Sequence, residues 1–162
     1  LFVRPGELRA VPWAELDLAR AEWRVPDARL KEGGFHIVPL PRQAVAILKH
    51  IRTYTGDGLY VFPAVGNRLR PMSNNTLNKA LRALGYTREQ IVSHGFRTIA
   101  STFLTELGYS PELIELQLAH VPKDKVRADY NRASQLPARR AMMQAYADYL
   151  DGLKQSVKSA VA

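Results

Sequence analysis

The spacing of apolar residues changes once along this chain, and this change limits the possible fold more than any other feature. Apolar and polar residues alternate in residues 22–25 and 35–40, which flank the pair Gly33-Gly34. A period of two is typical of strands, and a glycine pair between two such segments is typical of a hairpin turn. We therefore predict two antiparallel strands joined by a turn that carries Lys31.

After residue 40 the apolar residues recur at helical spacing. Ala44, Ile47, Leu48 and Ile51 stand at positions i, i+3, i+4 and i+7, as on one face of a helix. Three similar stripes follow: Leu77, Ala80, Leu81 and Leu84 after an expected N-cap at Ser73; Ile99, Phe103 and Leu107 before a stop at Gly108; and Met142, Tyr146, Tyr149, Leu150 and Leu153. The chain is therefore predicted to be mainly helical beyond its first 40 residues.

Two helix starts and one further strand complete the predicted elements. Ser110-Pro111-Glu112 supplies an N-cap, a proline at the first helical position and an acid in the first turn. That helix should bury Leu113, Ile114 and Leu118, and Pro122 should open another that holds Val126 and Tyr130. Residues 59–62 form an apolar strand candidate closed by Pro63, and a loop should follow it.

Composition restricts the possible partners and surroundings. The 162 residues include no cysteine, and 23 basic against 15 acidic side chains give a formal charge of +8. The absence of thiols fits a reducing cytoplasm, and no apolar run is long enough to cross a bilayer. A pI near 10.0 is typical of a domain that binds phosphate, so nucleic acid is the expected partner.

Several side chains suited to phosphodiester chemistry occur in a fixed order. A pentavalent phosphorus gains negative charge in the transition state, so a catalyst needs cationic forks, proton donors and a nucleophile. The chain offers Arg4, Lys31, His94 with Arg97, His120 and Tyr130. A histidine three residues before an arginine is a weak signal in a chain this rich in arginine, so the ordered set carries the argument.

This ordered set resembles the conserved boxes of the tyrosine recombinases, and most closely those of prophage and satellite-phage integrases. The residues that carry the resemblance are Arg4-Pro5-Gly6-Glu7-Leu8, Lys31 ahead of Pro39, His36 to Leu40, Pro71-Met72-Ser73, His94 to Ser101, Leu118-Ala119-His120 and Val126 to Arg132 with Tyr130. The resemblance implies an α+β, mainly α catalytic-domain fold with a small antiparallel sheet near the N-terminus. It also implies a site-specific integrase that cleaves and rejoins DNA through a covalent 3'-phosphotyrosine.

The resemblance assigns a role to each residue. Arg4 and Arg97 would bind the scissile phosphate with their planar forks, and Glu7 would hold Arg4 in place. Lys31 would protonate the departing 5'-oxygen, while His94 and His120 would assist proton movement. The phenolic oxygen of Tyr130 would be the nucleophile. His36 and His50 are expected to be structural, and Tyr146 and Tyr149 to lie in the core.

The acidic residues do not form a metal motif, and no glycine-rich phosphate loop follows a strand, so we predict no cofactor and no metal. The expected partners are double-stranded attachment sites, other integrase protomers in a tetrameric synapse and accessory DNA-bending proteins. The basic segments 67–70 and 122–140 are candidate contacts to the DNA backbone.

The resemblance further predicts a catalytic domain over residues 1–153 that is incomplete at its N-terminus. Residues 154–162 are predicted to form a C-terminal tail that packs on a neighbouring protomer. Two alternatives stay open at this point: an enzyme like a type IB topoisomerase, and a catalytically inert DNA-binding remnant of a prophage.

Overall fold

The computed structural model describes residues 1–29, 36–119 and 135–161. The expected turn at Gly33-Gly34 and the expected helix that opens at Pro122 lie outside these residues.

A three-stranded antiparallel sheet stands near the N-terminus, in the order β1 (Leu16–Asp17), β2 (Glu22–Val25) and β3 (His36–Pro39). Trp23 of the central strand lies opposite Leu16 on one side and Val38 on the other. Trp23, Val25 and Val38 are at most 1% exposed, so one face of the sheet is core. The predicted strand pair and its antiparallel sense are confirmed.

The predicted strand at residues 59–62 is wrong. A two-stranded hairpin lies directly after it, formed by β4 (Pro63–Ala64) and β5 (Asn67–Pro71), where a loop was expected. Gly66 has φ of 79° and permits the tight turn between the two strands. Residues 59–62 instead bond to the segment around Val11, since Trp13 N–H donates to the Leu59 carbonyl and Val61 N–H donates to the Val11 carbonyl.

Six α-helices occur in the described residues: α1 (Pro5–Arg9), α2 (Arg42–Thr55), α3 (Thr76–Ala83), α4 (Gly95–Glu106), α5 (Pro111–Gln117) and α6 (Leu136–Val161). The helices predicted from apolar spacing are all present. None of the helices in this described part is long and apolar enough to cross a membrane.

Two details of the predicted helices are wrong. Asn75, not Ser73, is the N-cap of α3, because the Ser73 carbonyl accepts from Thr76 N–H in a turn that precedes the helix. In α4 the buried side chains are Arg97, Ala100 and Leu104, whereas the predicted stripe is partly in solvent, with Ile99 50% exposed. The core side of α4 is turned toward α5 and α6, which pack against Leu104.

The predicted start of α5 is confirmed. The Ser110 side chain accepts a hydrogen bond from Leu113 N–H, and Pro111 occupies the first turn. Leu113, Ile114 and Leu118 are buried as expected.

The last helix is longer than the apolar stripe suggests. Its end was expected near Leu153, but α6 continues to Val161. The Ser156 and Ser159 hydroxyls donate to main-chain carbonyls four residues earlier, and the segment contains no proline after residue 137. Its polar side chains therefore do not interrupt the helix.

Two apolar clusters make up the core. The first lies under the sheet and α2 and contains Val11, Trp23, Val25, Val38, Leu40, Leu48 and Val61. The second joins α4, α5 and α6 and contains Phe2, Ala100, Leu104, Leu113, Ile114, Leu118, Met142 and Met143. Leu1 packs against both clusters, so the first residues of the chain lie at their junction.

Candidate active site

Arg4 is fixed at the start of α1 by the acid one turn later. Its main-chain N–H donates to Glu7 Oε2 over 2.9 Å, and its Nη1 donates to Glu7 Oε1 over 3.1 Å. Pro5 begins the helix, where a missing N–H costs no hydrogen bond. The predicted contact between Glu7 and Arg4 is confirmed. The Arg4 side chain remains 28% exposed, so it is restrained while still open to solvent.

Arg97 is far more enclosed. It is 7% exposed, its Nη1 donates to the Phe2 carbonyl, and its Nη2 donates to the Leu118 carbonyl. Phe2 has φ of 59°, and Ala119, directly after Leu118, has φ of 52°. The guanidinium therefore bonds to two chain segments that both contain a residue in the left-handed region.

The two arginines act on each other electrostatically. Burial is the main cause that lowers the pKa of Arg97, and the positive charge of Arg4 lowers it further. Glu7 and Glu115 act in the opposite direction on the same pKa. Two cations that repel each other are stabilised by an anion that contacts both of them, and a phosphate diester is such an anion.

His94 occupies the residue that precedes α4. Its carbonyl accepts from Arg97 N–H over 3.1 Å, and its side chain is exposed. The first turn of α4 thus carries an exposed imidazole together with the buried guanidinium.

Lys31, His120 and Tyr130 lie outside the described residues. On the two sides of Lys31 the structure describes the chain up to Arg29 and again from His36. On the two sides of His120 and Tyr130 it describes the chain up to Ala119 and again from Gln135. Of the six predicted site residues, the structure therefore relates Arg4, His94 and Arg97 to each other, and the positions of the remaining three stay predictions.

A cavity of about 420 Å³ borders Arg97 on one side. Its walls come from the first residues of the chain, α3, the start of α4 and α6, and they include Phe2, Leu8, Leu77, Leu81, Phe96 and Leu150. These apolar walls explain why burial dominates the pKa of the neighbouring guanidinium.

Sequence reasoning missed a second buried arginine. Arg139 is 0% exposed, although residues 122–140 were predicted to face the DNA backbone. Its Nε donates to Gln117 Oε1 over 3.0 Å and its Nη2 donates to the Ile37 carbonyl over 2.6 Å, so Arg139 cannot reach phosphate. The only sequence signal was the doublet Arg139-Arg140 directly before an apolar pair, and such a doublet is equally common on exposed surfaces.

The histidines outside the motif lie as expected. His36 is buried within β3, and His50 is exposed on α2 beside Tyr54, with ring centroids 5.2 Å apart. The described residues contain no group of three or more acidic or histidine side chains placed to hold a metal ion.

A solved structure shares this fold. The crystal structure of XerA recombinase matches with a TM-score of 0.60 over 82% of this chain and 53% of that chain, at 20% sequence identity. The predicted α+β, mainly α fold with a small antiparallel sheet is confirmed by this likeness.

Sequence comparison identifies the family. Residues 2–136 match the model of the phage integrase family, and the chain belongs to that family. It is 43% identical to the prophage integrase IntA of Escherichia coli strain K12 over 91% of this chain, and 42% identical to the integrase of Enterobacteria phage P4 over 93%. The matched regions span 35% and 38% of those two relatives.

Proposed function

We propose that this chain is the catalytic part of a site-specific DNA recombinase that integrates or excises a mobile element. The proposal is carried by the pair Arg4 and Arg97, the two residues that the resemblance assigns to the scissile phosphate: Glu7 orients Arg4, two main-chain carbonyls orient Arg97, and the charge of Arg4 lowers the pKa of Arg97. The integrase names of relatives above 40% identity favour a recombinase over a type IB topoisomerase or an inert remnant.

In the proposed reaction the scissile phosphate binds between Arg4 and Arg97. The Tyr130 oxygen attacks phosphorus and forms a P–O bond, while the bond from phosphorus to the 5'-oxygen breaks. One imidazole, that of His94 or His120, takes up the single phenolic proton, and Lys31 donates a proton to the departing 5'-oxygen. The products are a 3'-phosphotyrosine and a free 5'-hydroxyl, and the reverse reaction with another 5'-hydroxyl rejoins the strand.

Two of the described tyrosines, Tyr146 and Tyr149, are poorly suited to be the nucleophile. The Tyr146 ring meets Phe2 edge-on at 5.0 Å, and burial raises the pKa of its phenol. Tyr149 stacks on Phe103 with centroids 4.0 Å apart. A raised pKa disfavours the phenolate, and stacking occupies the ring, which supports the choice of Tyr130.

We assign the proposed reaction to the cytoplasm of a bacterial host, because its substrate is double-stranded attachment DNA. Strand exchange needs two duplexes cut together, so we also propose a tetrameric synapse of protomers and a role for accessory DNA-bending proteins.

Substitution of the proposed nucleophile tests the reaction. Tyr130→Phe should abolish the SDS-resistant adduct with nicked attachment-site DNA while DNA binding and the unfolding midpoint stay unchanged, because one hydroxyl is removed. Tyr86→Phe, an exposed tyrosine on the described surface, is the matched control and should form adduct normally. A chelator should have no effect on the wild-type rate. An adduct that maps to another tyrosine, or cleavage that requires Mg²⁺, would contradict the proposal.

We further propose that residues 154–162 pack on a neighbouring protomer. Support comes from α6, where Leu150, Leu153 and Val157 are 45%, 46% and 64% exposed at spacings of three and four residues. Such a stripe is typical of a helix that packs on a partner.

Deletion of residues 154–162 tests the packing proposal. The deletion should preserve single-site binding and weaken assembly on paired sites, as measured by gel mobility and sedimentation, because the removed apolar surface serves only the partner. Assembly that equals that of the full chain would mean that this segment makes no contact between protomers.

A further inference from the structure

Arg139 and Gln117 connect chain regions that are far apart in sequence. They are 22 residues apart and share a buried hydrogen bond of 3.0 Å, with Gln117 1% exposed. Gln117 lies three residues before His120, and Arg139 lies nine residues after Tyr130. The bond therefore joins the two described flanks of the segment that holds both proposed site residues.

This connection continues to the phosphate-binding side of the site. Gln117 is the last residue of α5, and the carbonyl of the next residue, Leu118, accepts the hydrogen bond from Arg97. Two adjacent residues thus contact the two buried arginines, with Gln117 on Arg139 and Leu118 on Arg97. A shift of Arg139 would act on the end of α5 and through it on the proposed phosphate ligand.

The same guanidinium also reaches the sheet. Its Nη2 donates to the Ile37 carbonyl over 2.6 Å, on the strand that follows the Lys31 segment. Arg139, nine residues after Tyr130, therefore contacts the chain three residues before His120 and six residues after Lys31.

We propose that Arg139 is a positioning residue for the proposed reaction, which acts with Gln117 to fix the end of α5 and the start of α6 relative to Arg97. This inference rests on the proposed function. A fully buried guanidinium costs much desolvation energy, which hydrogen bonds to fixed acceptors offset, and an apolar side chain of similar volume often gives equal stability. Stability alone therefore does not explain why residue 139 is an arginine, whereas a role in aligning the site does.

The adjacent Arg140 provides a matched control. It extends from the same turn of α6, and it donates to Glu22 Oε1 over 2.5 Å and to the Arg20 carbonyl over 3.1 Å. These contacts occupy the Arg140 guanidinium, so Arg140, like Arg139, is not one of the DNA contacts expected in residues 122–140. They anchor α6 to the sheet and do not involve α5. Substitution of Arg140 thus weakens the helix–sheet contact and leaves the proposed alignment intact.

The experiment compares Arg139→Lys and Gln117→Met with Arg140→Lys in the complete chain. A lysine keeps the charge but cannot bridge both acceptors of the guanidinium fork. We expect Arg139→Lys and Gln117→Met to slow single-turnover adduct formation roughly tenfold to hundredfold, since small misplacements of reacting groups have effects of this size. Binding of half-site DNA should stay within about twofold for all three variants, and the rate for Arg140→Lys should match wild type.

A second measurement does not depend on activity. Trypsin can cut after Lys123, Lys125 and Arg127, which lie between the two joined flanks. Cleavage at these sites should be faster in Arg139→Lys and Gln117→Met than in Arg140→Lys at equal global stability, because the flanks are no longer tied together.

The outcomes separate this inference from the proposed function. If wild type forms an adduct at Tyr130 but all three variants have equal rates, or if slower rates only follow lost stability or binding, the positioning role is wrong. If wild type forms no adduct, the proposed function fails, and the trypsin comparison alone decides whether Arg139 ties the flanks. Equal trypsin cleavage in all variants would then overturn the inference.

Discussion

The Arg97 guanidinium is oriented by two main-chain carbonyls of the protein. Its two terminal nitrogens donate to Phe2 and Leu118, while Arg4 is oriented separately by Glu7. An arginine held in this way loses little conformational freedom when an anion binds, which is the physical basis of preorganisation.

Arg97→Lys should therefore affect both folding and chemistry. A single ammonium cannot reach both carbonyls, and a buried carbonyl left without a donor costs about 1–3 kcal/mol. We expect urea unfolding to detect a loss of about this size, and adduct formation to fall nearly as far as in Arg97→Ala. Arg88→Lys on the exposed surface is the control and should match wild type. Full activity in Arg97→Lys would show that only a point charge is needed.

Sequence motifs predicted that Arg97 matters but not that it is buried. The pattern of His94 and Arg97 identifies residue types that suit phosphate, whereas burial depends on chain segments distant in sequence, such as Phe2. Arg139 illustrates the same limit, because a run of cations was read as a DNA-facing surface. Only tertiary contacts distinguish a cation that meets solvent from one that bonds to Gln117.

At the scale of elements, α5 connects the two buried arginines although it has only seven residues. A helix this short is not stable alone, so its ends and its packing determine its position. Ser110 fixes its first turn, and Gln117 and Leu118 contact the arginines at its other end.

Ser110→Ala should lower the free energy of unfolding by about 1 kcal/mol, because the Leu113 N–H loses its side-chain acceptor and keeps only the Ser110 carbonyl. Ser73→Ala is the matched control, since Ser73 does not cap α3, and its effect should stay below about 0.5 kcal/mol. Urea denaturation of both variants gives the comparison. Equal losses at the two positions would mean that the Ser110 contact contributes nothing specific.

The secondary-structure elements that local sequence patterns encode were predictable. Alternation predicted β2 and β3, helical spacing predicted α2, and the Ser-Pro-Glu signal predicted α5. The hairpin of β4 and β5 was missed because β4 has only two residues and most of β5 is exposed, with no apolar period to identify either strand. Residues 59–62 were misassigned because their hydrogen bonds go to residues near Val11, which no local pattern encodes.

At the scale of the whole molecule, the basic residues that give the chain its net positive charge are spread over its folded elements. Many cations on the surface already have protein partners, such as Arg68, whose Nη1 lies 2.5 Å from Asp57 Oδ2. The number of cations that can meet DNA is therefore smaller than composition suggests.

DNA binding should depend steeply on salt, because each phosphate contact releases condensed counterions. A plot of log affinity against log salt concentration falls with a slope of about 0.9 for each phosphate contact on duplex DNA. The slope therefore gives the number of contacts. Arg70→Gln, in the exposed strand β5, should reduce the slope by about one contact, whereas Arg68→Gln should change it less because Arg68 is already paired. Binding that does not vary with salt would indicate that base contacts dominate.

The left-handed backbone at Phe2 and Ala119 has a consequence for how this protein can be altered. Side chains other than glycine are strained in that region, commonly by about 1–3 kcal/mol, and they stay there only when their surroundings enforce it. At Phe2 a glycine would remove a buried core ring, which costs more stability than the backbone strain, whereas at Ala119 it would remove only a methyl group. Selection for heat resistance alone would therefore favour glycine at Ala119. The Leu118 carbonyl would then be held by a more flexible backbone, so such a variant would be more stable but would orient Arg97 less firmly.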